Sequence, residues 1–134
     1  MNNQNNTKKT KIIFWVTTII IFLFEGVLTA LTSQSELARE GIRHLGYPDY
    51  FGTLLAVFKV GGALLLIIPA VPARIKEWAY AGFFFDFSFA FLSILIVDGL
   101  RVGIILPAVF LVILALSYLS YHKLHMVFLR GITQ

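Results

Sequence analysis

Four long apolar runs constrain this chain more than any other feature. They cover residues 12–32, 51–71, 79–97 and 102–121. About 20 apolar residues in a helix cross the roughly 30 Å hydrocarbon core of a bilayer. Only 13% of the chain is charged, whereas soluble domains carry about 25%. The sequence therefore predicts an all-α fold, a four-helix transmembrane bundle.

The segments between the runs support antiparallel helices. Residues 72–78 form a predicted short loop, and residues 98–101 a tight turn, so consecutive helices are neighbours. Residues 33–50 are polar and carry a thin apolar stripe. Gly46 and Pro48 are typical of a helix end. We predict a short amphipathic helix here, between spans 1 and 2, lying over the bundle or at the membrane surface.

Both ends of the chain are expected outside the 12–121 membrane domain. We predict that residues 1–11 form a disordered polar tail and that residues 122–134 form a basic cytoplasmic tail. Four predicted spans place seven basic residues on one side of the membrane and three on the other. The seven are Lys8, Lys9, Lys11, Arg74, Lys76, Lys123 and Arg130, and the three are Arg39, Arg43 and Arg101. This excess favours both termini in the cytoplasm of a bacterial inner-membrane protein.

A cleaved signal peptide is the alternative for the first run, because lysines precede it and Ala30 to Thr32 resembles a cleavage site. The length of the run and the presence of Glu25 within it argue against this alternative.

Three ionisable residues interrupt the apolar runs: Glu25, Lys59 and Asp86. At 1.5 Å of rise per residue, their expected depths agree within about 8 Å, near the bilayer centre. Unpaired, they would cost roughly 8 to 10 kcal/mol by insertion scales. We therefore expect the three side chains to meet.

The helical faces agree with this expectation, since each charge shares its face with small or polar residues that let membrane helices approach closely. The faces are Thr18, Phe22, Glu25, Thr29 and Thr32; Gly52, Ala56, Lys59 and Ala63; and Ala79, Gly82, Asp86, Ala90 and Ser93. The large aromatic residues, including the run 83–91, are expected to face lipid.

Two interpretations of the buried charges remain open. Two carboxylates around one ammonium carry a net charge of −1, so one carboxyl group is expected to keep its proton. Such a group can hold a proton or bind a ligand. Alternatively, the charges form a structural ion-pair network that fixes helix packing.

Other chemistry finds little support in the sequence. His122 and His125 lie in the basic tail without a third ligand, so no metal site is predicted. The chain has no Cys, which excludes disulfides and thiol redox chemistry within it. There is no phosphate loop and no nucleophile elbow. We assign no catalytic residue and expect no nucleic-acid partner.

One combination of motifs resembles a known family. It joins Leu45-Gly46-Tyr47-Pro48, then Lys59 with Gly61-Gly62-Ala63, then the run from Lys76 to Phe83 and Asp86. This combination resembles the DoxX-like family of small bacterial membrane proteins. The resemblance marks Glu77, Trp78, Tyr80 and Gly82 as signature residues, beside Glu25, Lys59 and Asp86.

The resemblance implies a four-helix membrane bundle but no catalytic roles. The family name derives from a subunit of a thiosulfate:quinone oxidoreductase, and some relatives occur in membrane oxidoreductase assemblies. The first hypothesis is an accessory or redox-associated subunit with a membrane protein partner and no independent catalysis. The second is an intramembrane site for a small ligand such as a quinone, built on Glu25, Lys59 and Asp86. The third is a proton-coupled carrier of small solutes.

Overall fold

The computed structural model describes residues 2–132, and their regular structure is entirely helical. The elements are α1 (Asn2–Ile21), a π-helical segment (Phe22–Leu28), α2 (Thr29–Thr32), α3 (Glu36–His44), α4 (Asp49–Ile67), α5 (Ala73–Asp98), a 3₁₀ turn (Val102–Ile104) and α6 (Ile105–Ile132). Four continuous helices are long and apolar enough to cross a membrane. The predicted all-α bundle is therefore confirmed.

The long helices form a closed ring in which consecutive helices are neighbours. The π-helical segment packs on α4, α4 on α5 and α5 on α6, and α6 returns to α1. The buried apolar centre draws on all four long helices and consists of Ile21, Ala63, Leu66, Ala79, Tyr80, Phe83, Phe87, Phe110 and Leu114. The short helix α3 packs against α4.

Local signals delimit the short helix. Ser35 caps α3, because its Oγ accepts a hydrogen bond of 3.2 Å from the backbone N–H of Ala38. Gly46 follows α3 with a φ of +90°, a conformation that glycine adopts without steric cost. The chain then reaches Pro48, which directly precedes α4.

The expected disordered tail of residues 1–11 is wrong for its described part. Helix α1 already begins at Asn2, and Met1 lies outside the described residues. Thr7 and Thr10 each donate a hydrogen bond to the carbonyl four residues earlier. With no Gly or Pro in this segment, the helix of the first span extends without interruption. At the other end, the expected tail 122–134 is helical to Ile132, and residues 133 and 134 lie outside the described part.

The predicted loop 72–78 is also wrong in length, because α5 begins at Ala73. Pro72 precedes the first helical residue, where its fixed φ and missing N–H are compatible with a helix start. Lys76 is consequently helical and only 5% exposed. Its Nζ donates a hydrogen bond of 3.1 Å to the Leu66 carbonyl, near the C-terminus of α4.

The aromatic residues of α5 do not all face outward as expected. Phe83 and Phe87 are each 3% exposed and stack on each other, with ring centroids 5.7 Å apart. Phe84, Phe85 and Phe89 are exposed. Phe83 and Phe87 point into the centre of the ring, because large side chains fill this space at the density typical of protein interiors.

Candidate functional site

The structure brings Glu25, Lys59 and Asp86 together. Lys59 Nζ lies 2.8 Å from Glu25 Oε2 and 3.5 Å from Asp86 Oδ2. The side chains are 23%, 11% and 14% exposed for Lys59, Glu25 and Asp86. Three neighbouring elements of the ring each contribute one charge, because Glu25 belongs to the π-helical segment, Lys59 to α4 and Asp86 to α5. We call these residues the charge triad.

The π-helical segment places Glu25 against α4. Short π-helical turns are rare in proteins, and those that do occur are often found at functional sites. Gly26 lets the two helices approach closely, since a Cβ at this position would lie 3.0 Å from the Cβ of Ala63. Ala63 is fully buried. The small pair Gly26 and Ala63 thus brings the neighbouring Glu25 carboxylate within reach of Lys59.

The polar atoms of the triad are only partly satisfied. Glu25 Oε2 and Asp86 Oδ2 are buried, and neither accepts a hydrogen bond from a residue in the described range 2–132. Their approaches to Lys59 are ion-pair contacts by distance, but not well-directed hydrogen bonds. Both carboxylates still attract the Lys59 ammonium, because the attraction between charges depends on their distance and not on the angle of approach. Both oxygens therefore retain the capacity to accept a hydrogen bond from another group.

A large groove between α4 and α5 leads to the triad. Its volume is about 1050 Å³, and Lys59 and Asp86 are among its lining residues. Gly61 and Gly82 also line it, and a Cβ at either position would meet no atom within 4 Å, so the absence of side chains there helps to keep the groove wide. Gly62, another lining residue, instead makes room for the Phe83 ring. The other walls of the groove are mainly apolar and aromatic, as is usual for binding sites of small molecules.

The small-residue face of α5 lines this groove, and its first residue, Ala79, also belongs to the buried centre of the bundle. Gly82, Asp86, Ala90 and Ser93 all border the groove. Tyr47 also lines it and forms a hydrogen bond of 2.6 Å with Ser93 Oγ. Exposed side chains on its walls, such as Trp78 and Phe58, indicate that it opens toward the surrounding lipid.

The signature residue Glu77 belongs to a second polar cluster, between α5 and α6. Its Oε1 lies 2.6 Å from His122 Nε2, and its Oε2 accepts a hydrogen bond of 3.1 Å from the Tyr118 hydroxyl. His122 is therefore a partner of Glu77. Sequence analysis missed this pair; the only available signal was the i,i+4 spacing of Tyr118 and His122, which places them on one helical face.

Tyr80, another signature residue, is buried and joins three helices. Its hydroxyl lies 2.7 Å from Ser117 Oγ, which in turn lies 2.8 Å from Thr18 Oγ1. Thr18 and Ser117 are fully buried. Such hydroxyl chains join helices in a membrane, where no water can satisfy them. We interpret Tyr80 as a structural residue.

Surface ion pairs tie α3 to the ends of α4 and α5. Arg43 binds Asp49 through two hydrogen bonds of 2.7 and 2.8 Å, and Glu36 at 3.2 Å. The hydrogen bond and charge of Asp49 raise the pKa of the Arg43 guanidinium above its ordinary value. His44 Nε2 lies 2.7 Å from Asp98 Oδ1. These contacts hold α3 across one end of the bundle.

Four membrane-length helices that bring a lysine and two carboxylates together define a small multi-pass membrane protein. The model of the DoxX-like family matches residues 13–117. Because this match covers most of the chain, the protein belongs to the DoxX-like family. No curated protein and no solved structure matches the chain significantly.

Proposed function

We propose that the groove between α4 and α5 binds a lipid-soluble molecule with a polar head, of the quinone class, and that the charge triad holds this head. The observation that carries the proposal is the position of Lys59 and Asp86 in the wall of an otherwise largely apolar groove of about 1050 Å³. An ionisable residue inside a membrane is costly and marks a functional site by default.

The chemistry of the triad suits a ring with carbonyl or hydroxyl groups. The Lys59 ammonium is a donor for a carbonyl oxygen, and the Asp86 carboxyl group, which also lines the groove, is an acceptor for a hydroxyl hydrogen. Exposed aromatic side chains in the groove wall, such as Trp78 and Phe89, provide faces for a planar ring. An apolar tail leaves through the side that opens to lipid.

Ligand binding is tested with the purified full chain in mild detergent. Mass spectrometry identifies what co-purifies with the wild type, and decylubiquinone serves as the binding probe. We expect stoichiometric binding by the wild type. Lys59→Met should weaken it by at least about tenfold, because hydrogen bonds to charged groups contribute roughly 1.5–3 kcal/mol. Lys123→Met makes the same chemical change at an exposed site and should bind normally.

A second variant tests whether the ligand occupies the groove, without changing the charge of the triad. Gly82→Leu places a side chain into open space, since no atom lies within 4 Å of a Cβ at this position. It should abolish binding while the bundle remains folded. Gly41→Leu, in the exposed helix α3, is its matched control. A folded Gly82→Leu variant that binds like the wild type, or a wild type that does not bind, would refute the proposal.

An accessory role in a redox assembly is the second candidate, and it is compatible with the first. Lysine and carboxyl groups exchange protons but not electrons, and the chain has no Cys. Electrons for any quinone chemistry must therefore come from another protein or a bound group. A stoichiometric polypeptide that co-purifies with the wild type, and that accelerates reduction of decylubiquinone, would support this role. A protein that purifies alone would argue against it.

A further inference from the structure

A second, smaller cavity also borders Lys59, next to the large groove. It has a volume of about 180 Å³ between α2, α3 and α4. It shares Ile42, Leu55 and Lys59 with the wall of the groove. Lys59 thus lines both the large groove and the small cavity.

The walls of the small cavity are rich in polar groups. Four hydroxyl residues line it: Thr29, Thr32, Ser33 and Thr53. Arg39 and Asp49 also line it, and both are exposed residues at the end of the bundle that α3 covers. Water occupies cavities that are polar and roomy, and each molecule takes about 30 Å³ in the liquid. The cavity therefore has room for several water molecules.

One face of α4 forms a continuous path from this end of the bundle to the triad. Asp49, Gly52, Thr53, Ala56 and Lys59 all line the cavity and follow helical 3–4 spacing. Ten residues at 1.5 Å of rise cover about 15 Å. Gly52, Thr53 and Ala56, between Asp49 and Lys59, are small or polar. The larger Leu55 of α4 and Ile42 of α3 also border the cavity, and Ile42 packs over Gly52.

We propose that this cavity is a water-filled access path through which the charge triad exchanges protons with the aqueous side on which α3 lies. The groups that face Lys59 are Glu25 from the π-helical segment and Asp86 from α5. At the other end of the cavity, the charged groups are Arg39 and Asp49, and Arg43 binds Asp49. The groove delivers the ligand from lipid, and the cavity connects its site to water.

The inference rests on the proposed function for its role, but its test needs no ligand. The chain has no Cys, so single cysteines can be introduced without background. A charged, membrane-impermeant thiol reagent reacts only with a thiolate that water reaches. Ala56→Cys faces the small cavity, whereas Val57→Cys at nearly the same depth faces the groove. Glu40→Cys, on the exposed surface of α3, identifies the side of the membrane.

We expect Ala56→Cys in membrane vesicles to react from the same side as Glu40→Cys, and at least about tenfold faster than Val57→Cys. Thr29→Cys, which lines the cavity from α2, and Leu28→Cys, an exposed neighbour, repeat the comparison if Ala56→Cys fails to fold. Equal reaction at both members of a pair, or no reaction at the cavity positions, would overturn the inference. Normal labelling with no decylubiquinone binding would instead refute the proposed function alone.

Discussion

Lys59 interacts with two carboxylates at different distances, and this difference is measurable. The ammonium lies 2.8 Å from Glu25 and 3.5 Å from Asp86. At an effective dielectric constant of about 20, Coulomb energies at these distances differ by roughly 1 kcal/mol. Glu25 is therefore the stronger partner of Lys59.

Double-mutant cycles test this ranking with Lys59→Met, Glu25→Gln and Asp86→Asn. The free energy of unfolding in mixed detergent micelles gives the coupling of each pair. We expect the Lys59–Glu25 coupling to exceed the Lys59–Asp86 coupling by about 1 kcal/mol. The corresponding cycle between Lys59 and the distant Glu77 serves as a control and should give no coupling. A larger coupling to Asp86 would contradict the structure.

The sequence indicated that the three charges meet, because depth and helical face follow from regular helix geometry. It could not indicate the π-helical segment at Phe22–Leu28, since an i→i+5 turn depends on how the first helix packs against α4. Face analysis alone also cannot tell whether Asp86 lies in a groove wall or at the bundle centre. That distinction depends on where Phe83 and Phe87 lie.

The close contact beside the π-helical segment predicts an effect of a single methyl group. Gly26→Ala places its Cβ 3.0 Å from the Cβ of fully buried Ala63. Two Cβ atoms cannot rotate away, so the two helices must separate by a few tenths of an ångström. We expect a loss of about 1–3 kcal/mol in the free energy of unfolding, as is typical of overpacked cores.

Gly61→Ala is the matched control for this substitution, because no atom lies within 4 Å of a Cβ at that position. Alanine is also the better helix former, by about 0.5–1 kcal/mol. In the same detergent unfolding assay, Gly61→Ala should be neutral or stabilising. If Gly26→Ala unfolds at the same detergent fraction as Gly61→Ala, the close approach of the two helices does not hold.

At the scale of the whole molecule, hydrophobic run lengths and short connections were sufficient to predict a four-helix bundle. The ends of the helices were harder, because a helix that leaves the apolar region continues where nothing stops it. Polar composition alone suggested disorder for residues 1–11, yet α1 begins at Asn2. Pro72 starts α5 before the apolar run itself begins, which moves Lys76 and Glu77 from a loop into the bundle.

The arrangement of the ring places both described ends, Asn2 and Ile132, at the same end of the bundle as Arg74 and Lys76. Even without buried Lys76, six basic residues lie at this end against three at the other. The positive-inside rule therefore predicts both termini in the cytoplasm. A green fluorescent protein fused to the C-terminus should therefore fluoresce, and an alkaline phosphatase fused there should be inactive. The exposed variant Glu40→Cys, at the other end of the bundle, should react with an impermeant thiol reagent from outside intact cells. Because Arg39 and Arg43 lie on α3, an active phosphatase fusion would mean that the end with fewer basic residues faces the cytoplasm, and the water path to Lys59 would then open to the cytoplasm as well.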